Sequence, residues 1–151
     1  MLEIVNSAVI GAPAERIFDF IAQAERNVEW VPDLKSSRRL TPGPTRTGTR
    51  FEFVVKLSLI SLRMVDKVVA CERPQLIQFT GIEGVEHAGS WRMEPLPSQT
   101  GGTPQTRVIY RMSFELPAAV GPLVSRMINL PERLERQSQT CLDNLRRILE
   151  H

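Results

Sequence analysis

Two side chains in this sequence combine a reactive type with a suggestive setting: His87 and Tyr110. An imidazole titrates near neutral pH, so His87 can serve as a general acid or base. It stands close to a hairpin turn, however, and an ordinary surface position is the competing reading. Tyr110 falls on the inward face of a strand, where its hydroxyl needs a partner. It could orient a ligand carbonyl or be structural. Asp33 and Arg50 suit the rim of a site, and Asp33 suits a helix stop equally well. Asp66 lies on a strand, residues 62–70, whose inward face the pattern leaves undecided. Trp30 beside Pro32 either closes the mouth of a site or packs against a sheet.

Several other chemistries lack their residues. There is no Gly-x-Gly-x-x-Gly, no phosphate-cradling loop, no Gly-x-Ser-x-Gly and no His-Glu-x-x-His. The second of the two histidines is the terminal His151, so no metal site is expected. Cys71 and Cys141 are isolated, without metal spacing or a Cys-x-x-Cys pair. They read as reduced thiols of a cytoplasmic protein. No cofactor is expected either.

The 19 basic and 17 acidic residues leave a net charge of +2, which argues against a nucleic-acid partner. No apolar run reaches the length of a membrane span, and the N-terminus lacks a basic-then-apolar signal segment. A chain of 151 residues suits a single domain burying roughly 68–70% of its unfolded surface. Leu149-Glu150-His151 reads as a purification-tag junction, which leaves residues 1–148 as the domain.

The elements that would hold these residues follow from periodicity. Glu3 to Ile10 reads as a strand, broken by Gly11-Ala12-Pro13. Pro13 can open a helix without losing a bond, and Ala14, Ile17, Phe18 and Ile21 give that helix one apolar face. A second short helical piece is expected around Asn27 to Val31. Then come strands. Leu34 to Leu40 is weak; Thr49 to Leu59 alternates strictly, with Phe51, Phe53, Val55, Leu57 and Leu59 on one side. Leu62 to Ala70 and Leu76 to Thr80 follow, and a turn at Glu83-Gly84 leads into Glu86 to Glu94. Pro95 to Gln105 is expected to be a mobile loop. Arg107 to Leu116 is the last strand, with Val108, Tyr110, Met112, Phe114 and Leu116 inward.

From Val120 to Ile148 apolar residues recur at Leu123, Met127, Leu130, Leu134, Cys141, Leu145 and Ile148. That is a helical period, and a helix of about 30 residues is on the order of 45 Å long. Pro131 should kink or restart it near Asn129 to Leu130. Ser138 interrupts the stripe and is expected to bond back to its own backbone.

One strand, two small helices, six antiparallel strands and a long helix resemble the helix-grip fold of the SRPBCC superfamily. That superfamily includes START lipid-transfer domains, the major birch-pollen allergen and polyketide cyclases. The likeness rests on Ile10-Gly11-Ala12-Pro13-Ala14-Glu15-Arg16-Ile17-Phe18, Trp30-Val31-Pro32, Gly48-Thr49-Arg50-Phe51, Arg73-Pro74 and the C-terminal helix. Within the superfamily the chain looks most like the bacterial polyketide-cyclase/dehydrase group. The resemblance implies an α+β fold, a curved antiparallel sheet of six to seven strands wrapped on the long helix.

It also implies an apolar cavity between sheet and helix, although a periodic apolar face is first of all a core. The sheet would line such a cavity with Phe53, Val55, Leu57, His87, Trp91, Met93, Tyr110, Met112 and Phe114. The helix would add Met127, Ile128 and Leu134, with Trp30 at the mouth. The ligand-binding reading expects a cavity of about 300 Å³ or more, and a filled core without one would count against it. The leading function is binding, or transport, of a small hydrophobic molecule such as a lipid or aromatic polyketide. The alternatives are a cofactor-free polyketide cyclase, aromatase or dehydrase using His87 and Tyr110, and a co-chaperone-like interaction module using Arg38, Arg39, Arg46 and Arg50. A monomer is the default.

Overall fold

The computed structural model of the chain describes residues 2–97 and 102–150. Strand β1 (Leu2–Ile10) ends at the Gly-Ala-Pro break, and helix α1 (Ala14–Ile21) begins directly after Pro13. Pro13 has φ −69° and lends no side-chain cap, while Glu15 sits in the first turn near the positive end of the helix dipole. Ala14, Ile17, Phe18 and Ile21 are all buried, as the spacing predicts. A 3-10 helix, Ala24–Glu29, follows.

Six strands then run as an uninterrupted meander: β2 (Leu34–Arg39), β3 (Arg50–Leu57), β4 (Ile60–Glu72), β5 (Leu76–Gly84), β6 (Glu86–Pro95) and β7 (Thr106–Glu115). The spatial order is β1-β7-β6-β5-β4-β3-β2, antiparallel at every pair. The first strand therefore sits at one edge, beside the last. Alternation on β3 is as expected from Phe51 to Leu57, all four apolar residues being buried. Leu59 is a correction: it is 89% exposed. The chain turns at Ser58, φ 58°, so that Leu57 faces Ile60 and Leu59 is left at the hairpin tip.

On β4 the pairing with β5 slips between Val65 and Asp66. The extra residue there is Ile82 of β5, so β4 keeps its alternation through Asp66. Met64, Asp66 and Val68 point to the interior, and Val65 is buried as well. The turn between β5 and β6 needs glycine: Gly84 has φ 84°, and a Cβ there would lie 2.1 Å from the Arg63 carbonyl oxygen. Of the loop expected from Pro95 to Gln105, residues 98–101 lie outside the described residues. At its root the Leu96 amide donates to the Gln105 carbonyl at 2.9 Å.

The C-terminal segment forms two helices, α2 (Gly121–Met127) and α3 (Leu130–Leu149). Ile128 and Asn129 between them are extended, so the expected kink is a full restart. Pro131 cannot donate to a preceding turn, and Asn129 caps the new helix by accepting from the Glu132 amide at 3.3 Å. The break re-phases the stripe. Leu123, expected inside, is 52% exposed, whereas Leu130, Leu134, Ser138, Cys141, Leu142, Leu145 and Leu149 form the buried face of α3. The helix reaches past Ile148: Leu149 is buried, its carbonyl accepts from Arg16, and the Glu150 carboxylate accepts from the Gly11 amide. With the curled sheet on one side and α3 on the other, the architecture is the helix-grip fold.

Candidate functional site

The concave face of the sheet and α3 enclose a cavity of about 140 Å³. Nine of the side chains expected in its wall are there: Phe53, Val55, Leu57, His87, Trp91, Tyr110, Met112, Phe114 and Leu134. Four are elsewhere. Trp30 is buried behind the wall, its ring 5.7 Å from Trp91 and 5.8 Å from Phe20, so it backs the cavity and does not close it. Met93 lies one inward position past Trp91 on β6 and is packed solid in the core. Met127 and Ile128 fall at the helix break, in a shallow depression of their own with Ser125, Arg126 and Pro131.

The volume is below the 300 Å³ expected, because large rings occupy the space. Trp91 and Tyr110 face each other across β6 and β7 with ring centroids 4.3 Å apart, and Phe51 stacks near Phe53 at 6.2 Å. Wall residues beyond those expected include Phe51, Met64, Val68, Ile77 and Phe79 from the strands, and Gln137, Ser138 and Cys141 from α3. Phe51 shares the parity of Phe53, and Ser138 and Cys141 sit on the helical stripe. Those signals were present. The facing of Asp66 follows from its pairing opposite Phe51 and had none, since apolar residues fall on both faces of its own strand.

His87 is inward and buried, not on the surface, and Asp66 is its partner. The His87 Nε2 lies 2.5 Å from Asp66 Oδ1, and Nδ1 lies 2.7 Å from the Val85 carbonyl oxygen. A carbonyl can only accept, so Nδ1 carries a proton. Bare Gly81 makes the room; a Cβ there would fall 2.5 Å from the imidazole. Burial pushes the His87 pKa down, but the hydrogen bond and charge of Asp66, helped by the Val85 carbonyl, outweigh it and hold the imidazole above its ordinary value. Both side chains stand in the cavity wall, with the imidazole Nε2 facing the carboxyl group. Isolated, either charge would be very costly to bury; paired, they are tolerated.

Around this pair the other polar groups are quiet. Tyr110 donates its hydroxyl to the Met112 sulfur at 3.1 Å. Burial above all, with the nearby Cys141 and Asp66, raises its pKa far above the usual phenol range, so it stays protonated. Burial, with a contribution from Asp33, pushes the Cys141 thiol up to about 12, which leaves it protonated and unreactive. Ser138 donates to the Glu135 carbonyl at 2.8 Å, the back-bond expected of it, and also accepts from Asn6. Asn27 Oδ1, brought to the wall by the 3-10 helix, is buried without a hydrogen-bond partner.

Asp33 and Arg50 are not in the wall. Asp33, with φ 68°, forms a two-pronged pair with Arg133 of α3 at 2.9 and 3.1 Å, which pins the start of β2 to the helix. Arg50 is exposed at the start of β3. In the arginine cluster Arg39 is held by Glu25 at 2.5 Å and Arg38 by Glu52 at 3.3 Å. Among the described residues no group of three or more His, Cys, Asp or Glu could hold a metal ion, and no helix is long and apolar enough to cross a membrane.

Comparison with known proteins bears on this geometry. A family model described as polyketide cyclase/dehydrase and lipid transport matches residues 1–150. No curated protein matches the chain. Among solved structures, a protein from Thermus thermophilus superposes with a TM-score of 0.76 at 19% identity, over 97% of this chain and 96% of the other. A START superfamily protein from Mycobacterium smegmatis gives 0.72 at 17% identity, over 97% and 98%. An aromatase/cyclase from Streptomyces sp. R1128 gives 0.72 at 16% identity, over 98% and 93%. At these identities the likeness is one of fold.

Proposed function

We propose that this chain, which belongs to the polyketide cyclase/dehydrase and lipid transport family, binds a small hydrophobic molecule between the sheet and α3. The observation that carries this is the apolar, ring-walled cavity of about 140 Å³. An apolar cavity of about 150 Å³ is enough to hold one benzene ring. A monocyclic molecule therefore enters the resting shape. A lipid chain or a fused polyketide needs more room than the resting cavity offers.

Toluene and a medium-chain fatty acid serve as probes, with thermal unfolding and amide chemical shifts as readouts. A ligand at a hundred times its Kd stabilises the native state by about 2.7 kcal/mol. Stabilisation by toluene, with shifts at Trp91, Tyr110 and Leu134, is the expected result. If neither probe stabilises the protein at saturation, the reading is wrong.

The buried His87–Asp66 pair favours one second reading, an enzyme. A base beside an apolar pocket can take a proton from the carbon between two carbonyls of a poly-ketone chain. The resulting enolate attacks a further carbonyl of the same chain, closing the ring with a new carbon–carbon bond; the alkoxide takes up the proton, and loss of water with enolisation of the remaining ketones makes the ring aromatic. In this reading the Asp66–His87 pair holds and returns the proton, and the Tyr110 hydroxyl leaves Met112 to orient the carbonyl oxygen. Adjacent polyketide synthase genes would favour it over passive binding. A demonstrated turnover left unchanged by His87→Ala and by Tyr110→Phe would remove these residues from the chemistry.

A further inference from the structure

Every hydroxyl or imidazole proton in the cavity wall is already committed. His87 gives one N–H to the Val85 carbonyl and faces Asp66 with the other. Tyr110 donates to Met112, Ser138 to the Glu135 carbonyl, and Thr45 to the Ala22 carbonyl at 2.5 Å. The opposite holds for acceptors. A carboxylate has about four lone-pair sites, and Asp66 uses Oδ1 on His87 while its second oxygen has no hydrogen bond among the described residues. Asp66 is a wall residue and 6% exposed. Beside the Asn27 amide, whose Oδ1 also lacks a partner, the strongest unspent polar capacity in the cavity is this carboxylate oxygen, held against apolar rings.

Charge narrows the occupant further. His87 already meets Asp66 Oδ1 with its second ring nitrogen, so a cationic ligand is not required. A free carboxylate would meet a like charge at short range. Volume narrows it again, since about 140 Å³ admits one ring.

We propose that the cavity takes a neutral monocyclic ligand bearing a hydroxyl, its ring among Phe53, Phe79, Trp91 and Tyr110 and its hydroxyl donating to the Asp66 carboxylate. This rests on the ligand-binding reading above and adds the class of ligand. In it, Asp66 is the group that meets the ligand, and His87 is a positioning residue that fixes the carboxylate. A site with a buried acceptor discriminates against an analogue without the donor, because the acceptor is then left without a partner.

The test compares phenol with toluene on the native protein and on the double variant Asp66→Val/His87→Leu. Replacing both members of a buried pair with apolar residues of similar size keeps the fold more readily than removing one. Affinities come from amide chemical shifts, and thermal unfolding confirms that the variant is folded. The ratio of phenol to toluene affinity should fall roughly ten- to a hundredfold from native protein to variant, the worth of a hydrogen bond to a charged group, while toluene binding persists.

Should the variant not fold, the native protein alone decides: phenol should move the His87 ring signals and toluene should leave them. An unchanged ratio, or equal movement of those signals, overturns the hydroxyl assignment and leaves hydrophobic binding standing. Benzoate binding more tightly than phenol also overturns it. Failure of both phenol and toluene to bind overturns this proposal and the ligand-binding reading together.

Discussion

Leu134 and Leu145 lie eleven residues apart on the buried face of α3, yet only Leu134 borders the cavity. Both are almost fully buried, at 4% and 0% exposed. Truncation to alanine removes about 2 kcal/mol of apolar burial in either case, at about 0.8 kcal/mol per methylene-sized group. The two sites differ in the packing that surrounds the deleted atoms. Leu145 is packed on all sides, so Leu145→Ala opens a new void and should cost about 4–5 kcal/mol, the upper part of the range for buried leucines. Leu134 already has empty space on one side and forfeits less packing. Leu134→Ala should cost about 2–3 kcal/mol. Urea unfolding of both variants, compared through their midpoints at a common slope, measures the difference. If the two cost the same within about 0.5 kcal/mol, the cavity is filled in solution and the reasoning fails. The enlarged cavity of Leu134→Ala should also admit naphthalene, which the native protein should exclude.

Three further outcomes are expected. The His87 pKa is raised by Asp66 above its unfolded value, so the stability this pair contributes is fully present below about pH 6.5 and is lost as pH rises through the folded value. Urea titrations from pH 6 to 9 should show that loss in the native protein and not in Asp66→Val/His87→Leu; a native protein that gains stability relative to the variant over this range would show His87 is held neutral. Asn129→Ala removes the cap of α3 and should cost about 1 kcal/mol, read as a lower urea midpoint; no change would mean that Pro131 alone sets the restart. On adding ligand, amide exchange should change together in the 3-10 helix leading to Trp30, the Glu83–Gly84 turn and residues 120–130, with α3 from Glu132 onward unchanged. Changes confined to the Pro95–Gln105 loop would put the gate elsewhere.

Much of this architecture is written in local pattern. The face of α1 follows from Pro13 and the spacing of Ile17, Phe18 and Ile21, and the inward sides of β3, β6 and β7 follow from strict alternation. Pro131 announced the break before α3. What the pattern could not carry are features decided by pairing and packing. The inward face of β4 is fixed by its pairing with β3, where Asp66 lies opposite Phe51, so from its own strand Asp66 could not be assigned a face and His87 had no visible counter-charge. Leu59 obeys the alternation of β3 but falls after a tight turn that only the Ser58 backbone reveals. Met127 and Ile128 fit one continuous stripe, which the restart at Asn129 abolishes. Cavity volume was the least legible quantity, because it depends on how Trp91, Tyr110 and Phe51 settle against one another.

The edge position of β1 bears on how the chain is made. Its partner is β7, with Leu2 opposite Phe114 and Ile10 opposite Thr106, whereas β2 to β7 each pair with a sequence neighbour. On the ribosome the meander can therefore assemble hairpin by hairpin as it emerges. β1 leaves the tunnel before the meander and finds its ladder after it, about a hundred residues and roughly 5–20 s of synthesis later at about 5–20 residues per second. Through that interval Leu2, Ile4, Val5, Ala8, Val9 and Ile10 form an unpaired, β-prone stretch of the kind that recruits other chains. Glu3 and the polar pair Asn6-Ser7 interrupt it, one charge and two weak strand formers among nine residues. In the finished fold Asn6 donates to Ser138 of α3; in the nascent chain the same residue keeps the waiting strand from becoming an uninterrupted apolar run.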